Sequence, residues 1–276
     1  MFETYRKTKW SLLQNQDTEP PYFPVKIDIS INEVESYYKK NPSLMVDSFD
    51  NLKKEKHIIS SKHNGMQGID KYLNFPIKKS KVENLSVQEK IDLISRKCPG
   101  WNMPEEINFL KDIAESYLKV AKNIVELGSF SGKSASVFGS VYFNTKVKIH
   151  CIDRWDMDVR NFFNVKNIKV IFAMLYDQFL KWTYWFRENL NIIRWNSWKS
   201  AEFFKDKSID IIFIDAGHLY EEVLMDIISW LPKVKPYGII VGHDYSDSHP
   251  GVKLAVKKVF GNKFDRGPGG IWYKIL

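Results

Sequence analysis

The sequence has few cysteines and no long apolar run, and both shortages exclude whole classes of protein. The only cysteines among its 276 residues are Cys98 and Cys151, and neither lies in a CxxC pair. A disulfide framework or cysteine-rich zinc site is therefore not expected, and both thiols are predicted to be reduced and partly buried. No uncharged apolar run approaches the ~20 residues that span a bilayer. The first ten residues, MFETYRKTKW, carry charges where a signal peptide is apolar. We expect a cytoplasmic globular protein with no membrane partner.

The net charge of +8 is not concentrated in one region. Residues 1–100 contain 17 Lys and Arg against 13 Asp and Glu, and residues 101–276 contain 24 against 20. Nucleic-acid-binding proteins usually gather their basic residues in a patch or stripe. Because this chain has no basic tail or basic domain, no nucleic-acid partner is expected.

The stretch VELGSFSGKSAS, residues 125–136, ends like a phosphate-binding P-loop but has the wrong spacing. A P-loop needs GxxxxGK[ST], whereas the residue five positions before Gly132 is Leu127. The nearest glycine, Gly128, makes the loop one residue short, and Glu126 would bring a carboxylate close to ligand phosphates. The remaining pattern predicts a ligand without strong negative charge. Lys133 is then expected to be solvated.

Strand-like and helix-like segments alternate from about residue 104, which indicates a sheet with crossover helices. Strands are predicted at 123–127, 147–152, 191–195, 209–214 and 238–242, with a last strand in IWYKIL. Helices are predicted from Pro104 and near 131–143, 170–188, 198–205, 220–234 and 251–260. The predicted fold class is α/β, with a doubly wound, mostly parallel seven-stranded sheet that binds ligands beyond the carboxyl ends of its strands.

Residues 1–98 differ from the rest of the chain. They contain a proline-rich stretch at 19–24 and a polar passage that extends to about residue 84. We predict an N-terminal extension that serves as a lid or an oligomerisation segment. Formation of a homo-oligomer is therefore an open alternative.

Helical spacing predicts which side chains are buried in two segments. Within 220–234, an apolar stripe lies opposite acidic residues that include Asp226, so Asp226 is expected on the polar face. Within 174–186, the spacing of Leu175, Phe179, Trp182 and Phe186 favours core packing over stacking against a ligand.

Two features predict an adenosine ligand. Gly128 and Gly132 flank the loop after the first strand, where glycine allows close approach of a ligand and unusual torsions. Asp153 ends the second strand 25 residues past Gly128, where a carboxylate can accept both hydroxyls of a ribose. For the glycines alone, a tight turn without a ligand is the alternative.

The fourth and fifth predicted strands both end in ionisable residues. Asp215 and His218 follow the fourth strand, and His243 and Asp244 follow the fifth. Because neighbouring parallel strands end at one edge, we expect Asp215, His243 and Asp244 to converge into a divalent-metal site. Such an ion would lower the pKa of a substrate hydroxyl. The alternative is that these side chains only cap helices and loops.

Several segments, taken together and in order, carry a family resemblance. They are VELGSFSGKSA, IDRW, RWNSWKSA, IDIIFIDAGHLYEEVLMDIISWLPKVKPYGIIVGHDY and GVKLAVKKVF. The combination resembles the S-adenosylmethionine-dependent methyltransferases of the Rossmann-like class, in the branch related to catechol, macrolide-sugar and aminocoumarin O-methyltransferases. CPGWNMPEEINFL is similar to the lead-in helix of that branch. The resemblance therefore covers residues 99–276, which would form the methyltransferase domain, and none of residues 1–98.

The resemblance implies a role for each matching residue. The loop around the methionine part of the cofactor would comprise Glu126, Gly128, Ser129, Ser131 and Gly132. Asp153 would hold the ribose, and Asp215 would also contact the cofactor. The residues near the adenine would be Trp155, Asn196, Ser197 and Trp198.

The resemblance also implies the catalytic residues. Asp215, His243 and Asp244 match the metal ligands of the metal-dependent members, most of which have an acidic residue where this chain has His243. Histidine favours a softer ion than magnesium, so the identity of the metal stays open. His218 or His243 would alternatively act as general base beside Asp215, although a capping role for His218 stays open. Trp101 is a candidate for contact with the substrate or the sulfonium, and burial of its side chain is the alternative.

The sequence therefore predicts methylation of a hydroxyl on a small molecule, such as a sugar or a natural-product intermediate, with S-adenosylmethionine as cofactor. Two alternatives stay open. One is a nucleic-acid methyltransferase, because EPPY at 19–22 resembles the motif of amino-methylating enzymes; that motif should follow the fourth strand, however. The other is a non-methylating relative of hydroxylase type or an assembly protein.

Overall fold

A computed structural model of the chain describes residues 82–155 and 168–276. Within these ranges, seven strands form one sheet in the order β3-β2-β1-β4-β5-β7-β6. The strands are β1 (Asn123–Leu127), β2 (Lys148–Ile152), β3 (Leu190–Ile193), β4 (Ile209–Ile214), β5 (Val234–Gly242), β6 (Asp265–Arg266) and β7 (Trp272–Ile275). The first five strands pair in parallel, and β7 is antiparallel to β5 and β6. The predicted fold class is confirmed.

The first described helix was not predicted, and the later helices follow the predicted order, although 3₁₀ turns replace parts of them. They are α1 (Val87–Lys97), α2 (Pro104–Ser116), α3 (Lys133–Tyr142), α4 (Ile168–Thr183), α5 (Tyr220–Trp230) and α6 (Pro250–Phe260). Short 3₁₀ helices span Tyr184–Asn189, Lys199–Phe203 and Leu231–Lys233, where longer α-helices were predicted. In the part of the chain that the structure describes, no helix has the length and apolar character needed to cross a membrane.

The sheet is buried on both faces, which explains why its strands appear in the sequence as short apolar runs. Side chains alternate between two cores along each strand. In β1, Ile124 packs with helices α1 to α4, whereas Val125 and Leu127 pack with α5 and α6. The aromatic residues of the 174–186 segment are buried in the first core, as predicted: Leu175, Phe179, Trp182 and Phe186.

Helix α1 extends the first core into the predicted extension. It begins at a capping box between Ser86 and Glu89, and its Ile91 and Ile94 are almost fully buried. The division of the chain at residue 98 stays a prediction, and residues 82–97 pack against the same core as α2 and α3. The EPPY stretch lies outside the described residues.

Two details differ from the sequence-based expectations. Asp226 is 1% exposed rather than on a polar face, because the opposite side of α5 packs under the Asn196–Trp198 loop, where Trp230 Nε1 donates to the Ser197 carbonyl at 2.9 Å. Cys98 and Cys151 are free, as predicted, but both are fully buried.

The strand order reverses between β1 and β4, since β2 and β3 lie on one side of β1 and β5 lies beyond β4. Such a switch point opens a crevice at the carboxyl ends of the two strands. Here the backbone N–H of Asp215 donates to the Leu127 carbonyl at 2.9 Å, which joins the ends of both strands.

Candidate functional site

A cavity of about 1100 Å³ opens at the switch point. Its walls are the loops after β1, β2, β3, β4 and β5, together with the turn before α2. Most of the predicted site residues line this cavity: Gly128, Ser129, Ser131, Asp153, Trp155, Asn196, Ser197, Trp198, Asp215, His218, His243 and Asp244. Glu126 and Gly132 are not among the lining residues; they lie just behind the wall.

The glycine loop has the backbone torsions that its glycines permit. Gly128 and Gly132 have φ angles of +85° and +87°. A side chain at Gly128 would collide with the backbone of Asp215 and Ala216. Glycine is therefore needed at this position because the backbone after β4 lies too close for a side chain, not because a ligand atom does. This close approach places the β1 loop and Asp215 on one wall.

Beneath this loop, the polar side chains of Glu126 and Ser129 are buried. The carboxylate oxygens of Glu126 and the hydroxyl of Ser129 make no well-formed hydrogen bond with other described groups. Burial raises the pKa of Glu126 to about 7, even though Ser129, Ser134 and Cys151 lie close enough to offset part of that effect. Buried polar atoms are rarely left unpaired. A carboxylate in this state favours a cationic ligand group nearby.

Backbone N–H groups on two loops fix the carboxylate of Asp153. Its Oδ2 accepts from Phe130 N at 2.8 Å, and its Oδ1 accepts from Trp155 N at 2.7 Å. Asp153 is therefore fixed in orientation at the wall of the cavity.

One of the residues predicted to lie near the adenine, Trp155, is buried within the protein. Trp155 is 1% exposed, donates from Nε1 to the Phe130 carbonyl at 2.7 Å and packs against Tyr176 and Phe179. It therefore supports the wall more than it faces the cavity. Trp195, which was not predicted, lines the cavity beside Asn196, Ser197 and Trp198.

The expectation for Lys133 is wrong. Its side chain is buried, and Nζ donates to the Gly100 carbonyl at 3.1 Å. This contact ties the start of α3 to the turn that carries Trp101. Trp101 is 58% exposed at the cavity and lies beside Phe130, so the alternative of burial is wrong and contact with a ligand stays a prediction.

The ionisable residues after β4 and β5 converge as predicted. Nδ1 of His243 lies 3.6 Å from Asp215 Oδ1 and 3.3 Å from Asp244 Oδ1. One potential ligand atom from each of the three residues lies within 4.8 Å of the others. The donor set of two carboxylates and an imidazole fits a divalent transition-metal ion better than magnesium. Metal binding itself stays a prediction.

Glu106 is a functional candidate that sequence analysis missed. Its Oε1 lies 3.0 Å from His243 Nε2, at an angle outside the usual limits of a hydrogen bond. The same carboxylate accepts from Gly270 N at 2.9 Å and from Met103 N at 2.7 Å. In the sequence, Glu106 is one of two acidic residues in the first turn of α2. Acidic residues are common at helix starts, so this position gave no sign of a functional role.

His218 and His249 also lie against the Asp244 carboxylate. His218 Nε2 lies 2.7 Å from Asp244 Oδ2, and His249 Nδ1 lies 3.4 Å from Asp244 Oδ1. His249 was missed because it lies five residues beyond Asp244, whereas the predicted site residues follow the ends of their strands more closely. Asn102 Nδ2, also missed, is 3.5 Å from Asp215 Oδ2.

The pKa values in this cluster reflect its charge pairing. The contact with Asp244 raises the pKa of His218. Burial opposes a charge on His243, but contacts with Asp244 and Glu106 outweigh it and raise its pKa to about 11. Burial raises the pKa of Asp215. For Asp244, burial is outweighed by His218 and His243, which hold its pKa well below the usual range.

Comparison with known proteins gives matches to methyltransferases. The family described as a methyltransferase domain matches residues 125–245. An uncharacterized protein of Sinorhizobium fredii is 24% identical over 125 residues, which are 45% of this chain and 13% of that protein. This chain thus matches only a small part of that relative's length.

Among solved structures, the SAH-bound methyltransferase PaMTH1 of Podospora anserina is 13% identical, with a TM-score of 0.46 over 71% of this chain and 93% of that one. CalS11, a TDP-rhamnose 3'-O-methyltransferase of calicheamicin biosynthesis, is 15% identical, with a TM-score of 0.44 over 71% and 94%. The family match includes the glycine loop, Asp153 and the ends of β4 and β5. Residues 125–245 thus match the methyltransferase domain family, which confirms for this part of the chain the family resemblance of the sequence motifs.

Proposed function

We propose that the chain transfers a methyl group from S-adenosylmethionine to a hydroxyl of a small molecule. One observation carries this proposal: a single cavity contains both the glycine loop with Asp153 and the ionisable cluster after β4 and β5. A nucleoside-binding wall and a proton-accepting wall are therefore within reach of one another. Bringing two reactants together in this way can supply a large part of a rate enhancement.

The cofactor half of the cavity has the chemistry that S-adenosylmethionine requires. Asp153 would accept from the ribose hydroxyls, and Asn196, Ser197 and Trp198 would line the adenine side. Glu126, Ser129, Ser131 and the two glycines would surround the methionine part. The Glu126 carboxylate makes no well-formed hydrogen bond with the described residues, so a cationic ligand group would stabilise its charged form.

The acceptor half would bind and deprotonate the hydroxyl. S-adenosylmethionine supplies a methyl group on a cationic sulfur, and its transfer to a hydroxyl oxygen releases one proton. His218 is suited to take that proton, because it is 45% exposed at the cavity and Asp244 orients its ring through Nε2. Asp215 and His243 lie beside it and would hold the oxygen.

A divalent ion held by Asp215, His243 and Asp244 would lower the pKa of a hydroxyl bound to it. This second route to the alkoxide fits the donor set described above. Methyl transfer measured with and without a chelator separates the two routes once an acceptor is identified. For the acceptor itself, we propose a sugar or natural-product intermediate.

Calorimetric titration with S-adenosylmethionine tests the proposal directly. We expect the parent chain to bind and Asp153→Ala to lose at least about tenfold in affinity, because two hydrogen bonds to a charged group are removed. Asp206→Ala is the matched control, since Asp206 is exposed and, among the described residues, forms its ion pair with Lys233 on the surface. No binding by the parent, or equal affinities in all three chains, would refute the proposal.

A further inference from the structure

Two histidines and an aspartate lie together at the mouth of the cavity, beside the residues predicted to bind a metal. His218 Nε2 and His249 Nδ1 are 2.7 Å and 3.4 Å from the two carboxylate oxygens of Asp244. The centroids of the two imidazole rings are 4.7 Å apart, and the rings are tilted by 41°. One potential ligand atom from each of the three residues lies within 4.8 Å of the other two.

The backbone brings these residues together from separate elements. His218 lies in the turn between β4 and α5, and His249 immediately precedes α6. Gly251, in the first turn of α6, packs so closely on the backbone of His218 and Tyr220 that a side chain there would collide with both. The pairing of the histidines therefore follows from the packing of α6 onto this turn.

We propose that His218, Asp244 and His249 form a binding site for a transition-metal ion such as Zn²⁺. Two imidazoles and one carboxylate are a donor set of catalytic zinc sites and of other transition-metal sites with open positions. Mg²⁺ prefers oxygen donors and octahedral geometry. Three protein donors leave at least one coordination position open toward the cavity.

The distances are close to those that such an ion needs. With bonds of about 2.0–2.1 Å, donor atoms around a tetrahedral ion lie about 3.3 Å apart. His249 Nδ1 and Asp244 Oδ1 already have a separation of 3.4 Å. His218 Nε2 lies 2.7 Å from the other oxygen, Oδ2, so this contact must lengthen by roughly half an ångström and the carboxylate must turn for one ion to bind all three side chains.

This site differs in donors and accessibility from the group of Asp215, His243 and Asp244. The His243 side chain is 9% exposed and contacts Glu106 through Nε2. The side chains of His218 and His249 are 45% and 35% exposed. An ion from solvent therefore reaches the two exposed histidines without displacing a buried contact, and Asp244 is the one donor that both groups share.

The use of this ion in catalysis rests on the proposed function, whereas ion binding itself does not. A hydroxyl at the open position would lose its proton more readily. His218 would then act as a ligand rather than as a free base. The acceptor hydroxyl would be held on the α6 side of the cavity.

The test is calorimetric titration of the tag-free 276-residue chain with Zn²⁺ and, separately, with Mg²⁺. We expect one equivalent of Zn²⁺ to bind and Mg²⁺ to bind far more weakly. Visible absorption of the Co²⁺-loaded chain reports the coordination directly. His249→Ala should lose at least about tenfold in Zn²⁺ affinity, since even an outer-shell partner is worth 10–100-fold. His218→Ala provides a second variant with the same expectation.

Two control variants show which side chains bind the ion. Asp247→Asn removes a neighbouring carboxylate whose side chain is 97% exposed, and it should bind Zn²⁺ like the parent. His243→Asn should also retain binding. The proposal is overturned if the parent binds no Zn²⁺, if His249→Ala binds as tightly as the parent, or if only His243→Asn loses binding. Titration of the same samples with S-adenosylhomocysteine shows separately whether the proposed function fails.

Discussion

The buried carboxyl group of Glu126, near the end of β1, makes the stability of the chain depend on pH. Its side chain is fully buried, and burial raises its pKa from 4.5 to about 7. Because the folded pKa lies above the unfolded one, the folded chain binds this proton more tightly. Stability attributable to Glu126 is therefore present below about pH 4.5 and is lost as the pH rises through about 7. Without a ligand, this residue destabilises the chain at alkaline pH.

We therefore expect Glu126→Gln to stabilise the ligand-free chain by on the order of 2 kcal/mol at about pH 8 and by almost nothing at about pH 4.5. Urea denaturation at the two pH values gives both numbers. The same variant should bind S-adenosylmethionine more weakly than the parent. A gain in stability that is equal at both pH values would contradict this account of Glu126.

Glu106 joins three parts of the chain through one buried carboxylate. It contacts the His243 ring and accepts from the backbone of Met103 and Gly270. Removing one partner of a buried ion pair leaves the other charge uncompensated. Burial alone would raise the pKa of Glu106, yet the contacts with His243 and the two amides leave it lowered.

A double-mutant cycle measures this coupling. We expect Glu106→Gln to cost about 3 kcal/mol in free energy of unfolding, and the double variant with His243→Asn to cost at least about 1 kcal/mol less than the sum of the single variants. Asp206→Asn, at an exposed site, supplies the uncoupled control. Additive costs would show that Glu106 acts only through its backbone contacts.

At the scale of elements, the parallel strands were the most predictable part of the chain. The predicted bounds of β1 and β4 match the structure because both strands are short, mainly apolar runs that the sheet buries on both faces. Helix α1 was missed because its buried face rests mainly on Ile91 and Ile94, within an otherwise polar segment. Two-residue strand β6 has no periodic pattern to detect.

The burial of α1 has a measurable consequence. A chain that begins at residue 99 lacks Ile91 and Ile94, which are 1% and 2% exposed in the first core. Burying an isoleucine side chain contributes about 1.5–3 kcal/mol. We expect the 99–276 chain to be less stable than the 82–276 chain by at least about 3 kcal/mol in urea denaturation. Equal stabilities would support a domain boundary at residue 98.

For the whole molecule, the topology allowed part of the site to be predicted. Residues directly after strands, such as Asp153, Asp215 and Asp244, could be assigned to one edge because parallel strands end together. Asn102 and His249 line the same cavity from loops, and Glu106 contacts His243 from the start of a helix. Their positions depend on how α2 and α6 pack on the sheet, which no local pattern in the sequence encodes. Lys133 was misassigned for the same reason, since its partner is the Gly100 carbonyl in a distant turn.

The cavity lies between the ends of strands from both halves of the sheet, so a ligand there should stabilise the whole domain rather than one loop. S-adenosylhomocysteine at 100 times its Kd should add about 2.7 kcal/mol. For a domain of this size, that gain corresponds to a rise in Tm of about 5–10 °C. Asp153→Ala should show a much smaller rise at the same concentration, whereas Asp206→Ala should match the parent in a thermal melt. An unchanged Tm in the parent, or an equal rise with and without Asp153, would show that the cofactor does not bind across the switch point.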